Sequence, residues 1–182
     1  MATFRVLGWP EDSPRLDLDH ERFAYAGKFV TGRQGIAVAR EDDVLAAVSF
    51  SPDRTDDATL RLRYVTVRTD RRGERLGPRL CAFAARRAHE RGYDRVAIAV
   101  NNPFAFVACY RAGFGATGEQ TGMAERVLQH PDPTGRDPGP YRAGLAAFAE
   151  RDLPEAAQSF VDDRRDGEPP PVVDVPASAG GD

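Results

Sequence analysis

Apolar positions along the chain change their spacing several times, and each change marks a new element. Phe4, Val6 and Leu7 suggest a first short strand. Between residues 20 and 30, Phe23, Ala26 and Phe29 or Val30 recur at a spacing that predicts a helix. Residues 35–40 and 44–51 are two β-like runs separated by Glu41, Asp42 and Asp43, a natural hairpin turn. A polar stretch over 52–58 leads into residues 60–68, where Leu60, Leu62, Tyr64, Val65 and Val67 read as a longer strand. The period then becomes helical, with Leu80, Phe83, Ala84 and Ala88 on one stripe and Gly92 as the stop. Val96, Ile98 and Val100 alternate with alanines and predict another strand. Asn101, Asn102 and Pro103 open a second helix, because asparagine caps and proline suits the first turn. Gly113 ends that helix, Phe114 begins a strand, and residues 125–129 form the last one.

Texture changes after His130. Residues 131–140 read PDPTGRDPGP, a breaker-rich linker. Two short helices follow, the first with Leu145, Phe148 and Ala149 on one stripe, the second entered at Pro154 and carrying Ala157, Phe160 and Val161. Residues 167–182 are poor in large apolar side chains and are expected to stay disordered. The expected organisation is a domain over 1–130, a linker over 131–140, a helical extension over 141–166 and a tail over 167–182.

Composition narrows the function. With 182 residues, 41% hydrophobic and 29% charged, the chain is expected to hold one globular catalytic domain. A net charge of −3 argues against a general nucleic-acid binder. No apolar run approaches the length of a bilayer span, and residues 1–10 lack the apolar core of an export signal, so no membrane partner and a cytoplasmic location are expected. Cys81 and Cys109 have neither metal-type nor CxxC spacing and are read as reduced. His20, His89 and His130 are scattered, which points to no metal and leaves Cys109 without a histidine partner to make it a nucleophile.

The strongest chemical signal is RRGERLGPRL over residues 71–80, lying between a valine-rich strand and a helix. The first N–H groups of a helix have no internal acceptors, and the helix dipole adds positive charge there. Glycines let the backbone approach an anion closely, while Arg71, Arg72, Arg75 and Arg79 surround the loop with fixed charge. A pyrophosphate fits such a place.

Arg72, Gly73, Leu76 and Gly77 in this loop, followed downstream by VNNPFAFVACYRAGF over 100–114 with Tyr110 before Gly113 and Phe114, resemble the GNAT superfamily of N-acetyltransferases. The resemblance spans about residues 3–131 and is specific between Tyr64 and Phe114. It implies an α/β (α+β) fold, with a mixed, mostly antiparallel sheet of about six to seven strands. Two parallel strands would splay in a V, with helices on both faces and the C-terminal helices appended. It implies acetyl-CoA as acyl donor and no metal. Val65, Thr66 and Val67 would offer main-chain groups to the pantetheine arm. Arg72, Gly73, Glu74, Arg75, Leu76 and Gly77 would hold the pyrophosphate, and Asn101 or Asn102 would add a further cofactor contact. Arg75 stands where the family usually has glycine.

The implied reaction is direct attack of a primary amine, from a small molecule or a peptide amino group, on the thioester, with Tyr110 as general acid. A strand N–H near Val67 would polarise the carbonyl. Glu21 and Glu119 are possible general bases, and Asp17, Asp19 and Glu21 could draw a cationic amine. The alternative is a non-catalytic acyl-CoA-binding or regulatory module. Family members are monomers or homodimers.

Overall fold

The computed structural model describes residues 1–122 and 124–178. The chain packs as two units, Met1–Val96 with the chain end from Asp174, and Ala97–Val173. Seven strands occur among the described residues, and the fold is mixed α/β and mostly antiparallel.

In the first unit β1 (Thr3–Gly8), β2 (Gly35–Arg40), β3 (Val44–Pro52) and β4 (Thr59–Val67) form an antiparallel meander in that order. The β3–β4 turn is built by aspartates that hydrogen-bond their own backbone. Asp53 accepts from the N–H of Thr55 at 2.8 Å, and Asp56 accepts from the N–H of Ala58 at 3.0 Å. Asp56 also takes the Arg95 guanidinium at 2.7 Å, and the carbonyl of Ala58 accepts from the N–H of Arg95. β5 (Arg95–Val100) therefore starts beside the start of β4, and one pair of strands in the fold is parallel.

β4 carries one irregularity. Ser49 faces Tyr64 while the next residue of β3, Phe50, faces Leu62, so Arg63 is an extra residue, a β-bulge. Alternation puts Val65 and Val67 on one face of the sheet and Tyr64 and Thr66 on the other.

On the Val67 face lies α1 (Leu76–Glu90), which buries Leu80, Phe83, Ala84 and Ala88 and ends before Gly92 at φ +107. The other face is covered by residues 16–30, where Leu18, Phe23, Ala26 and Phe29 pack on Ile36, Val38 and Ala47. The sequence predicts a helix here. The chain instead makes turns and a short 3-10 helix, Ala26–Phe29. The reason lies in the spacing: Phe23, Ala26 and Phe29 are three apart, which suits three residues per turn as well as a longer α-helical stripe.

The second unit holds the rest of β5, then α2 (Pro103–Arg111), β6 (Gly115–Thr121), β7 (Glu125–His130), α3 (Pro138–Ala149) and α4 (Glu155–Asp162), with strand order β5-β7-β6. Glu119, expected in a loop, lies in β6 at an irregularity between Ala116 and Gln120, and is exposed.

Helix α3 packs directly on α2. Phe106, fully buried, has ring contacts with Tyr110, Tyr141 and Phe148 at 5.2, 6.1 and 5.7 Å. Gly144 makes this approach possible, since a Cβ there would lie 2.2 Å from the Phe106 ring. The breaker-rich stretch after β7 is held by side chains of its own. Asp132 accepts from the Thr134 N–H and hydroxyl at 2.8 and 2.6 Å, and Arg136 donates to the carbonyls of Tyr110, Phe114 and Pro170.

Residues 168–178, whose composition suggests disorder, run extended, with Val173 N–H bonded to the Arg111 carbonyl and Ser178 forming a parallel bridge with Phe4. Residues 179–182 of the expected tail lie outside the described residues.

Candidate functional site

The first unit gathers Val65, Thr66, Val67 and residues 72–77 at one end of β4. After Val67 the chain makes a short 3-10 turn, Thr69–Arg71, and enters α1 at Leu76. Among the described hydrogen bonds, Arg79 donates the first main-chain bond of the helix, to the carbonyl of Arg75 at 3.1 Å. Pro78 has no N–H, and the N–H groups of residues 72–77 donate to no acceptor among the described residues. A helix start with its amides unpaired is the arrangement that receives an anion. Gly77 seats this helix end against β4: a Cβ there would lie 3.5 Å from Val67 Cγ2.

Arg75, the residue before the helix, adopts φ 60 and ψ 24, the left-handed region. Gly73 shares positive φ, at +85, and faces open space. A side chain in this conformation is strained by about 1 kcal/mol. Arg75→Gly is therefore expected to leave stability unchanged or raise it by up to about 0.5 kcal/mol in denaturant titration, after the entropy cost of glycine, while weakening anion binding.

The four arginines of the loop do not act alike. Arg71 is held by Glu74 at 2.6 Å and by Glu41 of the β2–β3 turn at 3.1 Å. Its hydrogen bonds to these carboxylates raise its pKa and lower those of Glu74 and Glu41. Arg79 lies over the Phe4 ring at 5.0 Å. Arg72 and Arg75 are exposed and form no ion pair among the described residues, so these two supply the uncommitted charge.

Asp17 and Asp19 line a groove of about 290 Å³ with Arg22, Arg40, Asp42, Asp43 and Arg68. Arg68 follows β4 directly and pairs with Asp70 at 2.6 Å, which Arg22 also approaches at 3.8 Å. The groove thus lies at the loop end of the sheet and is mixed in charge; Glu21 is exposed and does not line it.

The second unit gathers Asn101, Asn102 and Tyr110 around α2. Asn102 is the N-cap, its side-chain oxygen accepting from the Ala105 N–H at 2.9 Å, with Pro103 in the first turn. Its amide donates to the Asn101 side-chain oxygen at 3.3 Å, so Asn102 has a structural task; both asparagines are exposed. Tyr110 is fully buried, edge-on to Tyr141 at 4.8 Å, with Arg136 over its ring at 5.3 Å. Its hydroxyl oxygen accepts from the Ala116 N–H at 3.0 Å. Burial raises the phenol pKa, partly offset by that N–H, so the group is protonated at neutral pH and retains its own proton to donate.

Sequence reasoning missed Glu41, Arg136 and Arg63. Glu41 and Arg136 act through contacts far along the chain, and Arg63 stands out only through the bulge. Both cysteines are buried and form no disulfide among the described residues, and burial pushes Cys81 up to about 12. Among the described residues no group of three or more His, Cys, Asp or Glu is placed to hold a metal ion, and no helix is long and apolar enough to cross a membrane.

Residues 3–114 match the model of the acetyltransferase (GNAT) family. Among solved structures, the chain is similar to a putative GNAT-family acetyltransferase from Desulfovibrio desulfuricans, with TM-score 0.54 and 16% identity over 71% of this chain and 96% of that one. It is similar to a Bacillus subtilis acetyltransferase in complex with CoA, with TM-score 0.53 and 13% identity over 71% of this chain and 97% of that one. Against an N-acetyltransferase from Staphylococcus aureus Mu50, with TM-score 0.43 and 17% identity, the match covers 53% of this chain and 65% of that one. No curated protein matches.

Proposed function

Since the chain belongs to the acetyltransferase (GNAT) family, whose model spans residues 3–114, we propose that it transfers an acetyl group from acetyl-CoA to a primary amine by direct attack on the thioester. The observation that carries this reading is the run of unpaired amides over 72–77, flanked by the exposed Arg72 and Arg75 at the mouth of α1. These amides and charges suit the pyrophosphate of acetyl-CoA. Main-chain groups of Val65, Thr66 and Val67 would pair with the pantetheine arm as a neighbouring strand does, and Asn101 or Asn102 would add a contact from the start of α2.

In this reading a neutral amine attacks the thioester carbonyl, whose developing oxyanion takes a hydrogen bond from a β4 N–H near Val67. The carbon–sulfur bond breaks, the amine loses its proton to water or a carboxylate, and the thiolate gains one. Tyr110 is the proposed donor to sulfur. Its retained proton supports that role, and the Ala116 N–H would stabilise the phenolate that forms. The enzyme would act on a small molecule or a peptide amino group, in the cytoplasm where its donor is found, as a monomer or homodimer. A screen of amines against acetyl-CoA, reading free CoA thiol, tests the reading: thiol should appear only when both are present.

The burial of Tyr110 favours a second reading of that residue alone, a core tyrosine that anchors the start of β6, with the thiolate protonated by solvent. Tyr110→Phe separates the two. As general acid, its loss should lower kcat about a hundredfold or more with acetyl-CoA binding retained. As a core residue, its loss should leave kcat within about twofold and lower thermal stability by about 1 kcal/mol, since the Ala116 N–H loses its acceptor.

A further inference from the structure

The β4 bulge leaves one arginine in an unusual position. Arg63 donates from Nε to Ser51 Oγ at 2.8 Å and from Nη2 to the Pro52 carbonyl at 3.4 Å. It is partly buried, and no carboxylate pairs with it among the described residues. Its neighbours differ. Arg61 binds Asp53 through Nε, and Arg95 binds Asp56 at 2.7 Å, so the nearby carboxylates are committed elsewhere. Desolvation, with Arg61 and Arg54 close by, lowers the pKa of Arg63. A guanidinium taken partly out of water without an anion is costly, and its planar fork is shaped for a carboxylate.

The same face of the sheet carries acceptors without donors. Ser49 lies opposite Tyr64 on the face that Ser51 and Arg63 share. Ser49 Oγ, Thr66 Oγ1 and Gln34 Oε1 are buried with no hydrogen-bond partner. Gln34 precedes Ile36 by two residues, and Ile36 pairs with Ser49, so alternation places Gln34 on this face too. Buried polar groups are normally partnered, and here the register sets two oxygens able to accept, Ser49 Oγ and Gln34 Oε1, on either side of the Ser51 level where Arg63 donates, with Thr66 further along β4. Ser49 and Ser51 are about 7 Å apart along the strand, within reach of a small molecule bonded at both ends.

We propose that Arg63, Ser49 and Gln34 form the acceptor subsite, and that the amine acetylated by this protein also carries a carboxylate, received by Arg63 while the nitrogen lies toward the Ser49 and Gln34 oxygens. The assignment rests on the transferase reading given above. A donor anchored at residues 72–77 would run back along β4 with its carbonyl near Val67, which leaves the stretch of β4 toward Arg63 to the acceptor.

The test compares amino acids, their α-amides and the matching decarboxylated amines as acceptors, using wild type, Arg63→Gln and Arg63→Lys. The best acceptor should be a carboxylate-bearing amine, with kcat/KM about tenfold or more above that of its amide. Arg63→Gln should remove this gap, mainly through KM for the acid, with the Kd for acetyl-CoA unchanged. Arg63→Lys should keep part of it and serves if Arg63→Gln lowers Tm. Equal use of acid and amide by wild type, or a gap that survives Arg63→Gln, overturns the proposal. If no amine releases CoA, the transferase reading falls, and thermal shift with the free amino acids decides the subsite separately. Stabilisation of wild type but not of Arg63→Gln upholds it; no shift in either overturns it.

Discussion

Reversing two charges together, Arg72→Glu with Arg75→Glu, is expected to raise the dissociation constant of acetyl-CoA about a hundredfold, a loss of about 2.7 kcal/mol, while leaving the fold intact. Both side chains are exposed and lack ion pairs among the described residues, so the folded chain loses no ion pair when they change. Surface substitutions of this kind usually move stability by less than about 0.5 kcal/mol. The donor, in contrast, would meet two carboxylates where two guanidiniums had stood beside the open amides of α1. Titration calorimetry at low and high salt reads the effect. Affinity should fall steeply at low salt, and the gap from wild type should narrow as salt screens the exposed charges. An unchanged dissociation constant would remove residues 72–77 from the donor site. Arg71 makes a useful contrast. Held by Glu41 and Glu74, its replacement should disturb the loop and the β2–β3 turn before it disturbs charge at the helix mouth.

The largest effect on stability is expected from Phe106→Ala, at about 4 kcal/mol, with Tm lowered by about 10 °C. Phe106 is fully buried where α2 meets α3, its ring set among Tyr110, Tyr141 and Phe148. Gly144 brings α3 so close that little space exists for the neighbours to relax into the cavity. The same contacts predict the outcome of ending the chain at His130, where the sequence places a domain boundary. That truncation strips Tyr141, Leu145 and Phe148 from α2 and removes Arg136 from the carbonyls of Tyr110 and Phe114. The shortened chain should lose cooperative unfolding by circular dichroism. A shortened chain that melts like the full one would make α3 and α4 an appendage after all.

Most of the strands and both longer helices of residues 1–130 were legible because local signals agreed. Leu80, Phe83, Ala84 and Ala88 share one stripe, Gly92 stops it, and Asn102 with Pro103 marks the start of α2. The left-handed conformation of Arg75 was foreseeable too, since glycine is usual at that position. Residues 20–30 misled because a three-residue spacing serves two helix types. The extent of β6 is hidden because Gly118, Glu119 and Gln120 lack strand-forming side chains, and its irregular pairing with β7 is a matter of register rather than composition. Within the candidate site, the loop over 72–77 was readable and the side chains that govern it were not. Glu41 reaches Arg71 from 30 residues earlier in the chain. The bulge at Arg63 arises from a one-residue slip between paired strands, which no single strand reveals.

β1 has β2 on one side only, and its other edge meets the chain's own end, where Ser178 bridges Phe4 and takes a hydrogen bond from Arg87 at 2.8 Å. An open strand edge is a template on which copies of a chain can pair and aggregate. The segment ending at Ser178 thus acts as a guard at the level of Phe4, and protein cut before Asp174 should be handled as prone to self-association at high concentration.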